Sequence, residues 1–102
     1  MSDEGEAALT AVRRLPEQAV AGLREAFAAE VAERLPRLHA ALAAGRPADA
    51  LRDAHTLGSS ALVVGEPCVG RAARAAEAAM LAGEPAAEHV AELAALLDRW
   101  TP

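Results

Sequence analysis

Lysine is absent from this chain of 102 residues, whose ten basic residues are all arginines and are outnumbered by 15 acidic residues. The formal net charge of −5 argues against non-specific binding to nucleic acid or to anionic membranes, because such binding requires a positive field. No apolar run reaches the length of about 18 residues that a membrane span needs. We therefore expect no nucleic-acid partner and no membrane partner.

Cysteine is almost as scarce. The single cysteine, Cys68, excludes an internal disulfide and lacks a second cysteine for a zinc site. The three histidines, His39, His55 and His89, lie too far apart to act as paired metal ligands on one helix. We expect no metal and no cofactor in the chain itself. The acidic N-terminus lacks a signal-peptide profile, so the cytosol is the expected location.

The composition favours an all-α fold. The chain is 53% apolar but only 2% aromatic, and alanine dominates together with leucine, arginine and glutamate, which are good helix formers. β-branched residues are few and scattered, which argues against a sheet. A chain of this length forms one domain with a modest core, here built from leucine, valine and alanine.

Glycine and proline divide the chain into helices. Residues 1–8 are expected to form a flexible acidic tail, and residues 9–102 a single helical domain. Apolar residues three or four positions apart predict a short helix over 9–15 and longer helices over about 16–44, 47–64, 67–82 and 85–99. Because short loops force antiparallel neighbours, we predict an up-and-down four-helix bundle with a short extra N-terminal helix. We expect the protein to be a monomer.

The helix predicted over 47–64 carries one histidine away from its apolar stripe. The stripe consists of Ala50, Ala54, Leu57, Ala61 and Val64. At about 100° per residue, His55 lies roughly 140° from the centre of this stripe. Small or apolar residues surround it on the same face: Leu51, Gly58, Ser59 and Leu62. We expect an exposed imidazole flanked by an exposed apolar pair, Leu51 and Leu62, on a surface that another protein can approach.

Other chemistry-bearing residues have simpler interpretations. By periodicity alone His55 is more often a surface residue without a role, and His39 and His89 have no motif around them. Cys68 lies in the first turn of a predicted helix, where a thiolate is stabilised, but nothing nearby supports a nucleophile. The charged residues between Glu30 and Arg37 are expected to form solvated pairs one turn apart.

The sequence around His55 resembles the motif of histidine-containing phosphotransfer (HPt) domains. That motif runs His-x-Leu-Lys-Gly-Ser/Ala, with a glycine at the tenth position, and here His55, Leu57, Ser60 and Gly65 match it. Ala76-Glu77 falls where the family usually has Leu-Glu. The resemblance extends from about Phe27 to Glu77, and it implies a four-helix bundle.

The resemblance implies that His55 accepts a phosphoryl group from the aspartyl phosphate of a receiver domain and passes it to another receiver. The expected partners are response-regulator receiver domains and hybrid sensor histidine kinases. The receiver would supply Mg²⁺, and this chain would supply a positioned nucleophile. The chain has no nucleotide-binding motif and is not expected to phosphorylate itself. Leu51, Arg52, Gly58, Ser59 and Leu62 are the candidate docking residues.

Two positions depart from the family motif. Gly58 stands where the family has its lysine, and Ser59 where it has its glycine. Arg52, Arg71 and Arg74 are the candidates to supply the missing cation. The departures leave open an alternative function, in which the chain is a degenerate helical docking or regulatory domain that binds a receiver or kinase without phosphotransfer.

Overall fold

The structure, a computed structural model, describes residues 16–101, which form four α-helices and no strand. The helices are α1 (Glu17–Ala43), α2 (Pro47–Val63), α3 (Pro67–Leu81) and α4 (Ala87–Leu97), followed by one 3₁₀ turn (Asp98–Trp100). The all-α bundle is confirmed. The predicted tail over 1–8 and helix over 9–15 lie outside the described residues. Within that described range, no helix is both long enough and apolar enough to cross a membrane.

Three turns of the same kind connect the helices. Each contains the sequence Gly-x-Pro, and its glycine adopts a positive φ: 70° at Gly45, 78° at Gly65 and 69° at Gly83. The residue after each glycine donates a backbone hydrogen bond of 2.8–2.9 Å to the carbonyl five residues earlier, which closes the last turn of the helix. The first two prolines then begin the next helix, whereas the fourth helix begins at Ala87 rather than at the predicted position 85.

The core lies along the inner faces of the helices, as the apolar spacing predicts. All five residues of the predicted stripe, four on α2 and Val64 directly after it, are buried. The buried side chains of the other helices include Phe27, Val31, Leu38, Val69, Ala73, Ala76, Val90, Leu93 and Leu97. Consecutive helices pack against each other, α1 on α2, α2 on α3 and α3 on α4. This order places α2, which carries His55, between α1 and α3.

The 3₁₀ turn after α4 returns the chain to α1. Trp100 is buried there, and its ring meets Phe27 edge-on with 4.8 Å between the ring centroids. The guanidinium carbon of Arg24 lies 4.5 Å from the Trp100 ring centroid, which is a cation–π contact. The C-terminal end of the described chain is thereby attached to the first described helix.

Candidate functional site

His55 lies midway along α2 with its side chain largely exposed, at 66% of its maximal accessible area. The Nδ1 atom lies 3.0 Å from Oε1 and 3.2 Å from Oε2 of Glu77 on α3. A carboxylate only accepts hydrogen bonds, so the proton of a neutral ring lies on Nδ1. Nε2 then carries the lone pair, and the exposed imidazole becomes a nucleophile of fixed tautomer.

The pairing of His55 with Glu77 follows from the antiparallel register of α2 and α3. One turn further along α2, a Cβ atom built on Gly58 would lie only 3.0 Å from the Cβ of Ala73. The absence of a side chain at Gly58 therefore lets the two helices approach closely. The side chain of a lysine at this position would start between the two packed helices and would push them apart. Close helix packing therefore explains why glycine replaces the family lysine at Gly58.

The expectation that Leu62 is exposed is wrong. Its side chain is only 7% exposed, and it packs over Gly70, where an added Cβ would meet the leucine Cδ2 at 2.9 Å. The glycine on α3 leaves a space that Leu62 fills. Leu51 is half-buried, so the predicted pair of exposed leucines beside the histidine does not exist.

A cleft of about 350 Å³ opens between α2 and α3 beside the histidine. It is lined by His55, Gly58, Ser59, Arg74 and Glu77. The cleft brings together the predicted site residues His55, Gly58 and Ser59, and α3 contributes the candidate cation Arg74 and the carboxylate of Glu77. Gly58, expected from the sequence to be a docking residue, lines this cleft, but it is itself buried because it packs on the neighbouring helix.

The three candidate cations lie in different places. Arg74 lines the cleft with His55. Arg71 instead donates a hydrogen bond of 3.3 Å to the Sγ atom of Cys68 and lines a separate cavity with Glu92. Arg52 lines a third cavity near the start of α2, beside Asp53. Of these three arginines, the structure brings only Arg74 into the cleft of the histidine.

An ion-pair network around a buried carboxylate holds α2 against α1 two residues before His55. Asp53 is 2% exposed, and it accepts hydrogen bonds from Arg34 at 3.0 Å and from Arg37 at 2.8 and 3.1 Å. The hydrogen bond from Arg37 lowers the pKa of Asp53 below its ordinary value, although burial opposes that shift. The carboxylate in turn raises the pKa of Arg37. This network fixes the position of the histidine-bearing helix.

The remaining candidates behave largely as the sequence predicts. His39 is exposed and His89 half-buried. Cys68 is a free, exposed cysteine. In the described range 16–101, no group of three or more histidine, cysteine, aspartate or glutamate side chains is placed to hold a metal ion.

Sequence reasoning missed the roles of Glu77 and Asp53. Glu77 was noted only as part of the family motif, and its partner lies 22 residues away. The pairs Glu30–Arg34 and Glu33–Arg37 are present as predicted, but both arginines also reach the buried Asp53. The available signal was the position of Asp53 beside the core stripe, about 60° from its centre, since a buried charge requires partners.

Comparison with known proteins identifies one family. A family model described as Hpt domain matches residues 22–101, which is most of the chain and includes both His55 and Glu77. No curated protein and no solved structure matches the chain.

Proposed function

Because this chain belongs to the Hpt domain family, its functional class is the histidine phosphotransfer module of two-component phosphorelays, and we propose that His55 carries the phosphoryl group. The donor is the aspartyl phosphate of a receiver domain, and the acceptor is a second receiver. The observation that carries the proposal is the contact of Nδ1 with Glu77 on an otherwise exposed ring.

The transfer needs no general base in this chain. The Nε2 lone pair attacks the phosphorus atom, the bond from phosphorus to the aspartyl oxygen breaks, and the carboxylate of the receiver leaves with the electron pair. The ring, still protonated at Nδ1, gains a positive charge as the N–P bond forms. The Glu77 carboxylate, 3.0 Å from Nδ1, stabilises that charge. Return transfer to the second receiver reverses these steps.

The partner supplies the rest of the chemistry. A receiver domain with bound Mg²⁺ would neutralise the phosphoryl oxygens in the transition state, while this chain positions the nucleophile. A small-residue surface around the histidine supports close approach, since Gly58 and Ser59 present almost no side chain at the cleft. We propose a cytosolic location for this exchange.

The test is incubation of the protein with phosphorylated receiver domains, followed by detection of acid-labile phosphate. We expect uptake by the wild type and none by His55→Gln, because glutamine cannot act as the nucleophile. His39→Gln is the matched control, since His39 is also exposed on a helix but lies outside the cleft. Uptake that persists in His55→Gln contradicts the proposal. Receiver binding without phosphate uptake by the wild type would support the alternative of a docking domain.

A further inference from the structure

The cleft between α2 and α3 places a carboxylate beside the proposed phosphorylation site. Glu77 is in contact with the ring of His55, and a phosphoryl group adds about two negative charges to that ring. The carboxylate stabilises the positively charged ring but repels the phosphoryl oxygens. A cation on the side of the cleft where these oxygens lie would offset that repulsion and stabilise the phosphorylated state.

Arg74 is in a position to provide that cation. It lies one helical turn before Glu77 on α3, so both side chains extend from the same face, and both line the cleft with His55. Gly58 and Ser59, which have no side chain or a small one, line the same cleft. The cleft volume of about 350 Å³ beside these side chains is ample for a tetrahedral phosphoryl group.

We propose that Arg74 binds the phosphoryl oxygens of phosphorylated His55. This inference rests on the proposed function and extends it by naming the residue that recognises the phosphoryl group. The planar guanidinium suits the purpose because it donates two parallel hydrogen bonds to phosphoryl oxygens. Glu77 thus accepts the hydrogen bond from the ring, while the guanidinium of Arg74 donates to the phosphoryl group.

The test uses a small phosphoryl donor, phosphoramidate, so that it does not depend on finding a receiver. The parent protein is the His39→Gln/His89→Gln variant, in which His55 is the one remaining histidine of the chain. The ionisation of its phosphoryl group is followed by ³¹P NMR as the pH is varied. Loss of a positive charge at about 4 Å should raise the midpoint of this titration by about one pH unit.

We expect that upward shift in Arg74→Gln, a partial return in Arg74→Lys and no shift in Arg71→Gln. Arg71 is the matched control because it is an exposed arginine on the same helix that lines another cavity. Circular dichroism of each variant checks that the helices are intact. A merely structural role for Arg74 would not move the phosphoryl midpoint, so an unchanged midpoint in Arg74→Gln overturns the inference.

A second measurement uses a phosphorylated receiver where one reacts. Arg74→Gln should shift the transfer equilibrium about tenfold towards the receiver, because one charge-assisted interaction with the product is lost. If phosphoramidate loads His55 but no receiver does, the proposed function fails while the titration still decides the role of Arg74. If neither donor places phosphate on His55, both proposals are overturned.

Discussion

Replacement of Asp53 by asparagine should lower the stability of the bundle by about 2 kcal/mol. Asp53 accepts three hydrogen bonds from two guanidinium groups, and asparagine keeps one acceptor oxygen but turns an NH₂ group towards these donors. Hydrogen bonds to charged groups contribute about 1.5–3 kcal/mol each. At least one is lost, and the loss is reduced because the arginine side chains are 25% and 52% exposed and regain water.

Thermal melts followed by circular dichroism at pH 7 measure this effect. A loss of about 2 kcal/mol corresponds to a fall in Tm of about 10 °C for a domain of this size. Asp49→Asn is the matched control, since Asp49 lies one turn earlier on the same helix and its side chain, 48% exposed, is 3.7 Å from Arg46. That variant should lose less than about 1 kcal/mol.

The effect also has a defined pH dependence. The pKa of Asp53 is lowered in the folded state, so its contribution is fully present above the unfolded-state pKa of about 3.9 and is lost as the pH falls through the folded-state pKa. The difference in Tm between wild type and Asp53→Asn should therefore shrink below about pH 4. Equal melting temperatures of the two proteins at pH 7 would show that the ion pairs of Asp53 do not hold α2 against α1.

Substitutions at three further positions test the contacts of α2 with α3. Gly58→Lys should destabilise the fold by about 2 kcal/mol, because its Cβ would lie 3.0 Å from the Cβ of Ala73 and the helices must separate. A urea melt that matches that of the wild type would show that the helices separate without loss of stability. Leu62→Ala should lower the free energy of unfolding by about 3 kcal/mol, because it shortens a buried side chain. A loss below about 0.5 kcal/mol in the same melts would show that Leu62 lies on the surface. Glu77→Ala should slow phosphoryl uptake by His55 about tenfold in rapid-quench kinetics. The rate of Glu77→Gln should be intermediate, since glutamine still accepts a hydrogen bond from Nδ1 but lacks the charge. Equal rates in the wild type and both variants would show that Glu77 has no role in the mechanism.

Local patterns made most of the fold predictable. Glycine and proline mark all three turns, because positive φ favours glycine and proline suits the first helical position. The 3.6-residue period of the apolar side chains identifies the buried stripe of α2 and, by exclusion, the exposed face of His55. Each of these signals lies within one helix and its immediate flanks.

The errors arose where two helices meet. Helical periodicity placed Leu62 outside the core. Its burial depends on Gly70 on α3, whose missing side chain leaves the space that Leu62 occupies. The partners of His55 and Asp53 lie between 16 and 22 residues away. No local pattern carries the register of α2 against α1 and α3, so neither pairing could be read from the sequence.

The chain has one tryptophan, and its position gives the molecule an internal optical reporter. Trp100 belongs to the last described turn but packs on Phe27 and Arg24 of α1, so its indole fluorescence depends on the C-terminal turn remaining docked on the first helix. Far-ultraviolet circular dichroism reports total helix content instead. Separation of the two signals during unfolding, with a red shift of the emission before the helical signal falls, would identify detachment of this turn from α1 as an event distinct from helix melting.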